Sequence, residues 1–312
     1  MNRNNNIITW NCRGAAGKDF YRYVKHLRDI YHLVILVIME TRCDPCRVAK
    51  TLKKLGFHDY VANSNNGFAG GIIVAWREDS VHLCSGGIEE QYIHLKVEQK
   101  QGPEWFFTAI YASPNDMKRR ILWDQIKHMA SSVNSSWLLA GDFNDIAFAH
   151  EKKGGAPASS RKCKLFRDNM NDCNLLDLGA NGPAYTWRGP IYHGGQRIFE
   201  RLDRALSNEN WRLQFHEASI KVLPRVDFSD HHPIMINLTN SMNVQGPRRF
   251  RFESAWMVDE NYKNRLVGIW KKEESLKNNL KLVEDDTSNW KCNSLNHMQQ
   301  AKKQIMARLN GV

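Results

Sequence analysis

Trp137-Leu138-Leu139-Ala140-Gly141-Asp142-Phe143-Asn144 sets four apolar residues against a glycine, an acid and an amide. The apolar part reads as a buried strand. The polar part reads as the place where that strand gives way to a loop held by a sheet. The arrangement recurs along the chain. Ile7–Trp10 ends in Asn11, Leu33–Met39 ends in Glu40, and Phe106–Ile110 ends near Tyr111. Ser229-Asp230-His231-His232 stands just before the apolar run Ile234–Leu238. In layered α/β folds, strand ends are where sites are assembled. Singly, Asn11 reads as a turn former, Glu40 as the first solvated residue after a strand, Asp142 as an Asx-turn closer and His231 as a surface histidine. Five such places in one chain, in this order, point to a site.

Between these ends, strands and helices interleave. Phe20, Val24, Leu27 and Tyr31 repeat at helical spacing, as do Val48, Leu52 and Leu55 before Gly56. Leu122, Ile126, Met129 and Val133 predict an amphipathic helix, and Leu165, Phe166, Asn169, Met170 and Cys173 a further one. Ile72–Trp76, Tyr92–Val97, Phe106–Tyr111, Tyr185–Arg188 and Ile234–Leu238 read as strands. Several strands follow one another with only turns between, whereas a doubly wound parallel sheet keeps a stricter βαβ rhythm. The expected fold is α/β: a four-layer sandwich of two packed mixed β-sheets flanked by helices. Composition shifts at Asn240–Arg251, where Gly246, Pro247, Arg248, Arg249 and Arg251 read as a linker. The expected organisation is a main domain over 1–239, a linker over 240–252 and a helical C-terminal extension over 253–312.

Forty-two per cent hydrophobic and 25% charged residues exclude wholesale disorder. The longest aliphatic stretch, Leu33–Met39, is far short of a membrane span of ~20 residues. Met1–Asn6 is polar and lacks the apolar core of a secretory signal. Seven scattered cysteines suit a reducing compartment, and Cys43 and Cys46 form a lone C-x-x-C without a second pair at zinc-finger spacing. The expectation is an intracellular protein, nuclear or cytoplasmic, that is not secreted and has no membrane partner. The net charge is +11, of which residues 1–239 carry +6 and residues 240–312 +5. Such a surplus favours a polyanionic partner.

Trp10-Asn11-Cys12-Arg13-Gly14, Met39-Glu40-Thr41, Ile110-Tyr111-Ala112-Ser113-Pro114, Gly141-Asp142-Phe143-Asn144, Arg201-Leu202-Asp203-Arg204 and Ser229-Asp230-His231-His232-Pro233 resemble the ordered motifs of the endonuclease/exonuclease/phosphatase superfamily. That superfamily has a deoxyribonuclease I-like fold. Tyr185-Thr186-Trp187 followed by Arg201–Arg204, together with the W-N-x-R-G block, is most similar to the endonuclease domains of plant LINE-type (non-LTR) retrotransposons. The resemblance spans about residues 7–239, and the segment after Asn240 resembles the linker before a reverse transcriptase. No reverse transcriptase region follows within this chain.

Phosphodiester hydrolysis needs charge neutralised on the phosphoryl oxygens, a positioned and deprotonated water, and stabilisation of the leaving oxygen. Hard oxygen ligands suit Mg²⁺, with Mn²⁺ as the alternative. Glu40 is the candidate ligand, with Asn11 beside it and Asp230 near the metal or the water. Asp142 is the candidate to hold the attacking water, Asn144 and Tyr111 to contact the phosphate, and His231 to bond a phosphoryl oxygen as imidazolium. By resemblance, Asp203 is the carboxylate that orients His231. His232 falls at a variable position and has no assigned role. Arg13 stands where some relatives carry an aspartate near the metal, and an arginine there can contact a phosphate instead.

The resemblance implies a Mg²⁺-dependent endonuclease that nicks double-stranded DNA to leave a 3′-hydroxyl. Alternatives are a phosphatase of inositol phosphates, a phosphodiesterase acting on RNA or sphingolipid, or a DNA-binding remnant without turnover. For the DNA surface the expected residues are Arg13, Lys118, Arg119, Arg120, Tyr192 and Arg197, with further basic clusters at Lys152-Lys153, Arg161-Lys162, Lys164, Arg201 and Arg204. Arg188–Phe199 reads as a hairpin; in LINE-type endonucleases the matching hairpin enters the minor groove. Tyr192, His193 and Arg197 would take that part here, giving loose sequence preference.

Overall fold

The computed structural model describes residues 6–63, 71–99, 103–192, 194–238, 260–271, 273–283 and 285–287. The first half of the body runs β1 (Asn6–Asn11), α1 (Lys18–Tyr31), β2 (Leu33–Met39), α2 (Pro45–Lys54), β3 (Asp59–Ala62), β4 (Ile72–Trp76), β5 (Val81–Ile88), β6 (Tyr92–Gln99), β7 (Trp105–Tyr111), α3 (Asp116–Ser132) and β8 (Trp137–Asp142). The second half runs β9 (Lys152–Lys153), α4 (Ser160–Asp172), β10 (Leu176–Asp177), β11 (Trp187–Ile191), β12 (Arg197–Glu200), β13 (Asp203–Ser207), α5 (Glu209–Gln214), β14 (Ser219–Val222) and β15 (Ile234–Asn237). One sheet has the order β14-β15-β1-β2-β4-β3 and the other β10-β13-β8-β7-β6-β5, with β11-β12-β9 as a small third sheet.

The layering follows from the period of two along each strand. Ile7, Ile35, Val37, Val74, Leu95, Phe107, Leu138 and Ile236 share one core, so both sheets turn these residues toward each other. Their neighbours of opposite parity point outward. Ile8, Trp10, Leu36, Ile38 and Ile73 meet Phe20 and Val24 of α1 and Val48 and Leu52 of α2. Ile110 and Leu139 meet Leu122, Trp123 and Ile126 of α3 and Phe166 and Met170 of α4. The result is helices, sheet, sheet, helices: the four-layer sandwich expected from the sequence. α2, α3 and α4 begin on capping side chains: Asp44, with Pro45 at the first position of α2; Asn115 for α3; and Ser159 for α4.

Each of the two six-stranded sheets is mixed and holds a parallel pair, β1 with β2 and β7 with β8. Those strands are covered on both faces, which is why Leu33–Met39 is apolar throughout. Register brings the polar strand ends level: Asn11 opposite Met39, and Tyr111 opposite Asp142. Gly141 is needed for that alignment. Its φ is +145°, and a Cβ there would fall 2.0 Å from the Ile110 carbonyl oxygen.

Several elements differ from the sequence reading. β8 runs to Asp142 rather than Ala140, because its pairing with β7 continues past the apolar run. β11 starts at Trp187 rather than Tyr185, and β15 ends at Asn237 rather than Leu238. β3, β5, β13 and β14 carry weak alternation, or Gly86-Gly87 in the case of β5, and are specified by pairing with neighbouring strands.

A second compact unit covers Asn243–Val312, the first covering Met1–Met242. The expected linker over 240–252 lies outside the described residues, as does much of the expected tail. Within the described part, α6 (Glu260–Ile269) is a helix and residues 276–283 are helical. Tyr262 is buried with its hydroxyl 2.8 Å from the Thr287 hydroxyl, and Arg265 holds Asp286 through two nitrogens at 2.5 and 2.8 Å. Among the described residues, no helix is long and apolar enough to cross a membrane.

Candidate active site

The ends of β1, β2, β7 and β8 and the start of β13 meet at one edge of the sandwich. Backbone strain marks the place. Among the described residues six non-glycine residues have positive φ, and four of them, Arg13, Glu40, Arg42 and Asn144, lie here at 48–54°. Such conformations persist only where the surroundings hold them. Glu40 is held by its N–H donating to the Gly71 carbonyl at 2.9 Å, and Asn144 by its N–H donating to Asp142 Oδ1 at 2.9 Å.

A buried polar chain runs through the site. Asn11 donates from Nδ2 to Asp142 Oδ2 at 3.1 Å. His231 lies with Nε2 3.8 Å from that same oxygen, while its Nδ1 bonds Asp203 Oδ2 at 2.9 Å. Asn11, Asp142, Asp203 and His231 are all buried. Burial disfavours the imidazolium, but the Asp203 and Asp142 charges and the Asp203 hydrogen bond outweigh it, and the His231 pKa rises to about 9. Burial raises the Asp142 carboxyl above its usual value, against the pull of charged His231. Asp142, Asp203 and His231 also lie close enough to share an ion. At neutral pH, however, the protonated ring has no lone pair to give and is itself the cation between the two acids.

Thr186, Trp187 and Ser229 fix this chain, roles the sequence did not disclose. The Thr186 hydroxyl accepts the N–H groups of Leu202 and Asp203 at 3.0 and 2.9 Å. Ser229 donates its hydroxyl to the Asn11 carbonyl at 2.8 Å and accepts the His231 N–H at 3.0 Å, tying the histidine loop to β1. Trp187 donates from Nε1 to Asp230 Oδ2 at 2.8 Å.

Beside the buried chain lies a wetter group. Arg13 reaches Asp230 Oδ2 at 2.7 Å and Glu40 Oε1 at 3.7 Å, so a single guanidinium spans both carboxylates. Arg42 also pairs with Glu40 Oε1. Burial, with the Glu40 and Asp142 charges nearby, pushes the Tyr111 hydroxyl well above its usual value, so it stays a donor. Asn144 donates from Nδ2 to the Ala112 carbonyl at 2.7 Å. An open cleft of about 390 Å³ is lined by Arg13, Arg42, Arg188, Arg197 and Arg225, with Phe228 and Asp230. Nothing in the sequence reading singles out Arg42, Arg188 or Arg225 for this cleft, although Arg42 follows Glu40 by two residues and Arg188 follows Trp187.

The other basic residues divide. Lys118 and Arg120 are exposed, Lys118 pairing with Glu90 at 2.6 Å. Lys152, Lys162 and Lys164 pair with Glu200, Asp116 and Asp168. Arg119 is buried, its guanidinium taken up by Asp116, Asp145 and the Ser113 carbonyl, so it braces the Tyr111 loop from within instead of facing solvent. Arg204 is fully buried between Glu151 and Asp177, which also hold Arg201. These arginines are internal because acidic partners fold onto them, most of them distant in sequence. Tyr192 is exposed at the tip of the β11–β12 hairpin, and Arg197 donates to the Gly189 carbonyl at 2.8 Å. His193 lies outside the described residues.

The donor set available to a divalent ion is all oxygen. It comprises the carboxylates of Glu40 and Asp230 and the side-chain carbonyl of Asn11, and Asp230 Oδ1 is buried without a hydrogen-bond partner. An unpartnered buried carboxylate oxygen among hard ligands fits a hard divalent cation.

A family model described as the endonuclease/exonuclease/phosphatase family matches residues 8–231. The fold is similar to that of the endonuclease domain of TRAS1, a telomere-specific non-LTR retrotransposon, at 16% identity over 75% of this chain and 97% of that one, with a TM-score of 0.56. It is similar to a 3′-5′ exonuclease from Neisseria meningitidis at 18% identity over 75% and 99%, with a TM-score of 0.55. It is also similar to an AP endonuclease from Leishmania major at 14% identity over 75% and 87%, with a TM-score of 0.58. At these identities the likeness is one of fold.

Proposed function

The chain belongs to the endonuclease/exonuclease/phosphatase family, and on that premise we propose that it is a Mg²⁺-dependent endonuclease of the non-LTR retrotransposon kind, nicking double-stranded DNA inside the cell. The observation that carries the reading is the buried chain Asn11–Asp142–His231–Asp203, set beside an arginine-lined cleft.

Glu40, Asp230 and Asn11 are the residues that would hold the ion, and a bound Mg²⁺ neutralises charge on the phosphoryl oxygens. Asp142 accepts a proton from the water that attacks phosphorus. Asn11 steers the Asp142 carboxylate through its Nδ2 bond to Oδ2. His231 donates from Nε2 to a phosphoryl oxygen, and Asp203 holds its Nδ1 so that Nε2 stays aimed at the substrate. Tyr111 donates its hydroxyl to the phosphate, and Asn144 lies alongside. The bond from phosphorus to the 3′-oxygen breaks, the departing 3′-oxygen takes a proton from solvent water, and the product strands end in a 3′-hydroxyl and a 5′-phosphate. Arg13, Arg42, Arg188, Arg197 and Arg225 give the strand its electrostatic seat. Lys118 and Arg120 extend that seat, and Tyr192 and Arg197 present the hairpin to the minor groove.

The test is conversion of supercoiled plasmid to open circles with Mg²⁺, followed by polymerase extension from the nicks, alongside phosphate release from inositol phosphates. Extendable nicks without phosphate release support the reading. Phosphate release without nicking assigns the site to a phosphatase.

A further inference from the structure

Away from this site, the β5–β6 ladder brings together three metal-ligating side chains of different kinds. His82 and Cys84 are two residues apart on β5, and Glu98 on β6 is the direct cross-strand partner of His82. Val81, Leu83 and Val97 point into the core between the sheets, so His82, Cys84 and Glu98 share the opposite, outward face. Their ligand atoms all lie within 4.8 Å of one another. The three sit on paired backbone rather than on a loop, which fixes their spacing.

We propose that His82, Cys84 and Glu98 form a site for a borderline-soft transition-metal ion, Zn²⁺, separate from the catalytic centre. The donor set is one nitrogen, one sulfur and one oxygen, a combination that suits Zn²⁺ and not the hard Mg²⁺. Three protein ligands leave a fourth position for water. Lys96 lies directly across the ladder from Cys84. Lys96 holds Glu98 through Oε1 alone at 3.0 Å and has Glu104 as a second partner at 2.8 Å, which leaves the other Glu98 oxygen to a metal. The two sites stand at opposite ends of the same sheet. On β6, Val97 pairs with Trp105 at the start of β7, whereas Tyr92 pairs with Ile110 beside the catalytic end.

The experiment is a Co²⁺ titration of the full chain, reading the thiolate-to-cobalt absorption band. The expected result is saturation at one equivalent and bleaching of the band by Zn²⁺. Cys84→Ser removes the band while a Cys43→Ser/Cys46→Ser variant keeps it. His82→Ala and Glu98→Gln weaken binding by at least the ~10–100-fold that even outer-shell partners cost. Circular dichroism checks that each variant is folded, and Zn²⁺ raises the melting temperature of the native chain but not of His82→Ala. Cys84→Ser leaves Mg²⁺-dependent nicking unchanged. A native chain without the band, a band that survives Cys84→Ser, or loss of nicking in that variant overturns the proposal.

Discussion

The two halves of the candidate site are built on opposite principles. Asp142, Asp203 and His231 are withdrawn from water, and each is held by a defined partner. Arg13, Arg42 and Arg188 are exposed around an open cleft. A buried charge that is paired and hydrogen-bonded keeps its geometry and acts strongly on a reacting group, because no solvent reorganises around it. Exposed charges are screened and interchangeable, which suits gathering a long polyanion at no single position. On the proposed function, the buried half is expected to govern turnover, and the exposed half affinity and its dependence on salt.

That division has measurable consequences of decreasing size. On the proposed mechanism, His231→Ala removes the donor to the phosphoryl oxygen and is expected to lower kcat by about 10²–10³-fold with little change in KM. Asp203→Asn keeps the shape but weakens the hold on the imidazolium; kcat falls less, and the alkaline limb of the pH profile moves to lower pH. The sign follows from the raised pKa of His231. Its charge adds stability that is fully present below the ordinary value of 6.5 and is lost as pH rises through about 9. The urea midpoint of the native chain therefore falls across that window, and in Asp203→Asn the fall comes earlier. On the exposed side, replacing both Arg188 and Arg197 with alanine raises KM roughly tenfold and flattens the salt dependence of binding by about 0.9 for each phosphate no longer neutralised. If the double variant loses kcat instead, the division between the two halves is wrong. Smallest, Thr186→Val leaves the Leu202 and Asp203 amides without their acceptor and lowers stability by about 2 kcal/mol, read by thermal denaturation.

What the sequence made legible follows the same line. The residues at the ends of apolar runs, Asn11, Glu40, Tyr111 and Asp142, could be read because strand and polar end are adjacent in the chain. The layering was legible from helical patterns interleaved with strands that follow one another through turns alone, as from Ile72 to Tyr111. Elements that depend on their partners were not: β5 and β14 have no strong pattern of their own and are drawn into place by β6 and β15. Nor was the fate of individual arginines. Arg119 and Arg204 look like surface charges until Asp145, Glu151 and Asp177 fold against them. Arg42, Arg188 and Arg225 look ordinary until two loops and β11 bring them around one cleft. The support that Thr186 and Ser229 give is of this kind as well, since a hydroxyl announces neither its donor nor its acceptor.

The most direct measurement is nicking of supercoiled plasmid as Mg²⁺ is titrated, comparing the native chain with Glu40→Ala and His231→Ala, both shown to be folded. A Mg²⁺-dependent appearance of open circles with the native chain, lost in both variants, is the expected result. Equal nicking by all three, or none by the native chain at any Mg²⁺ concentration, contradicts the assignment of this edge as a metal-dependent nuclease site.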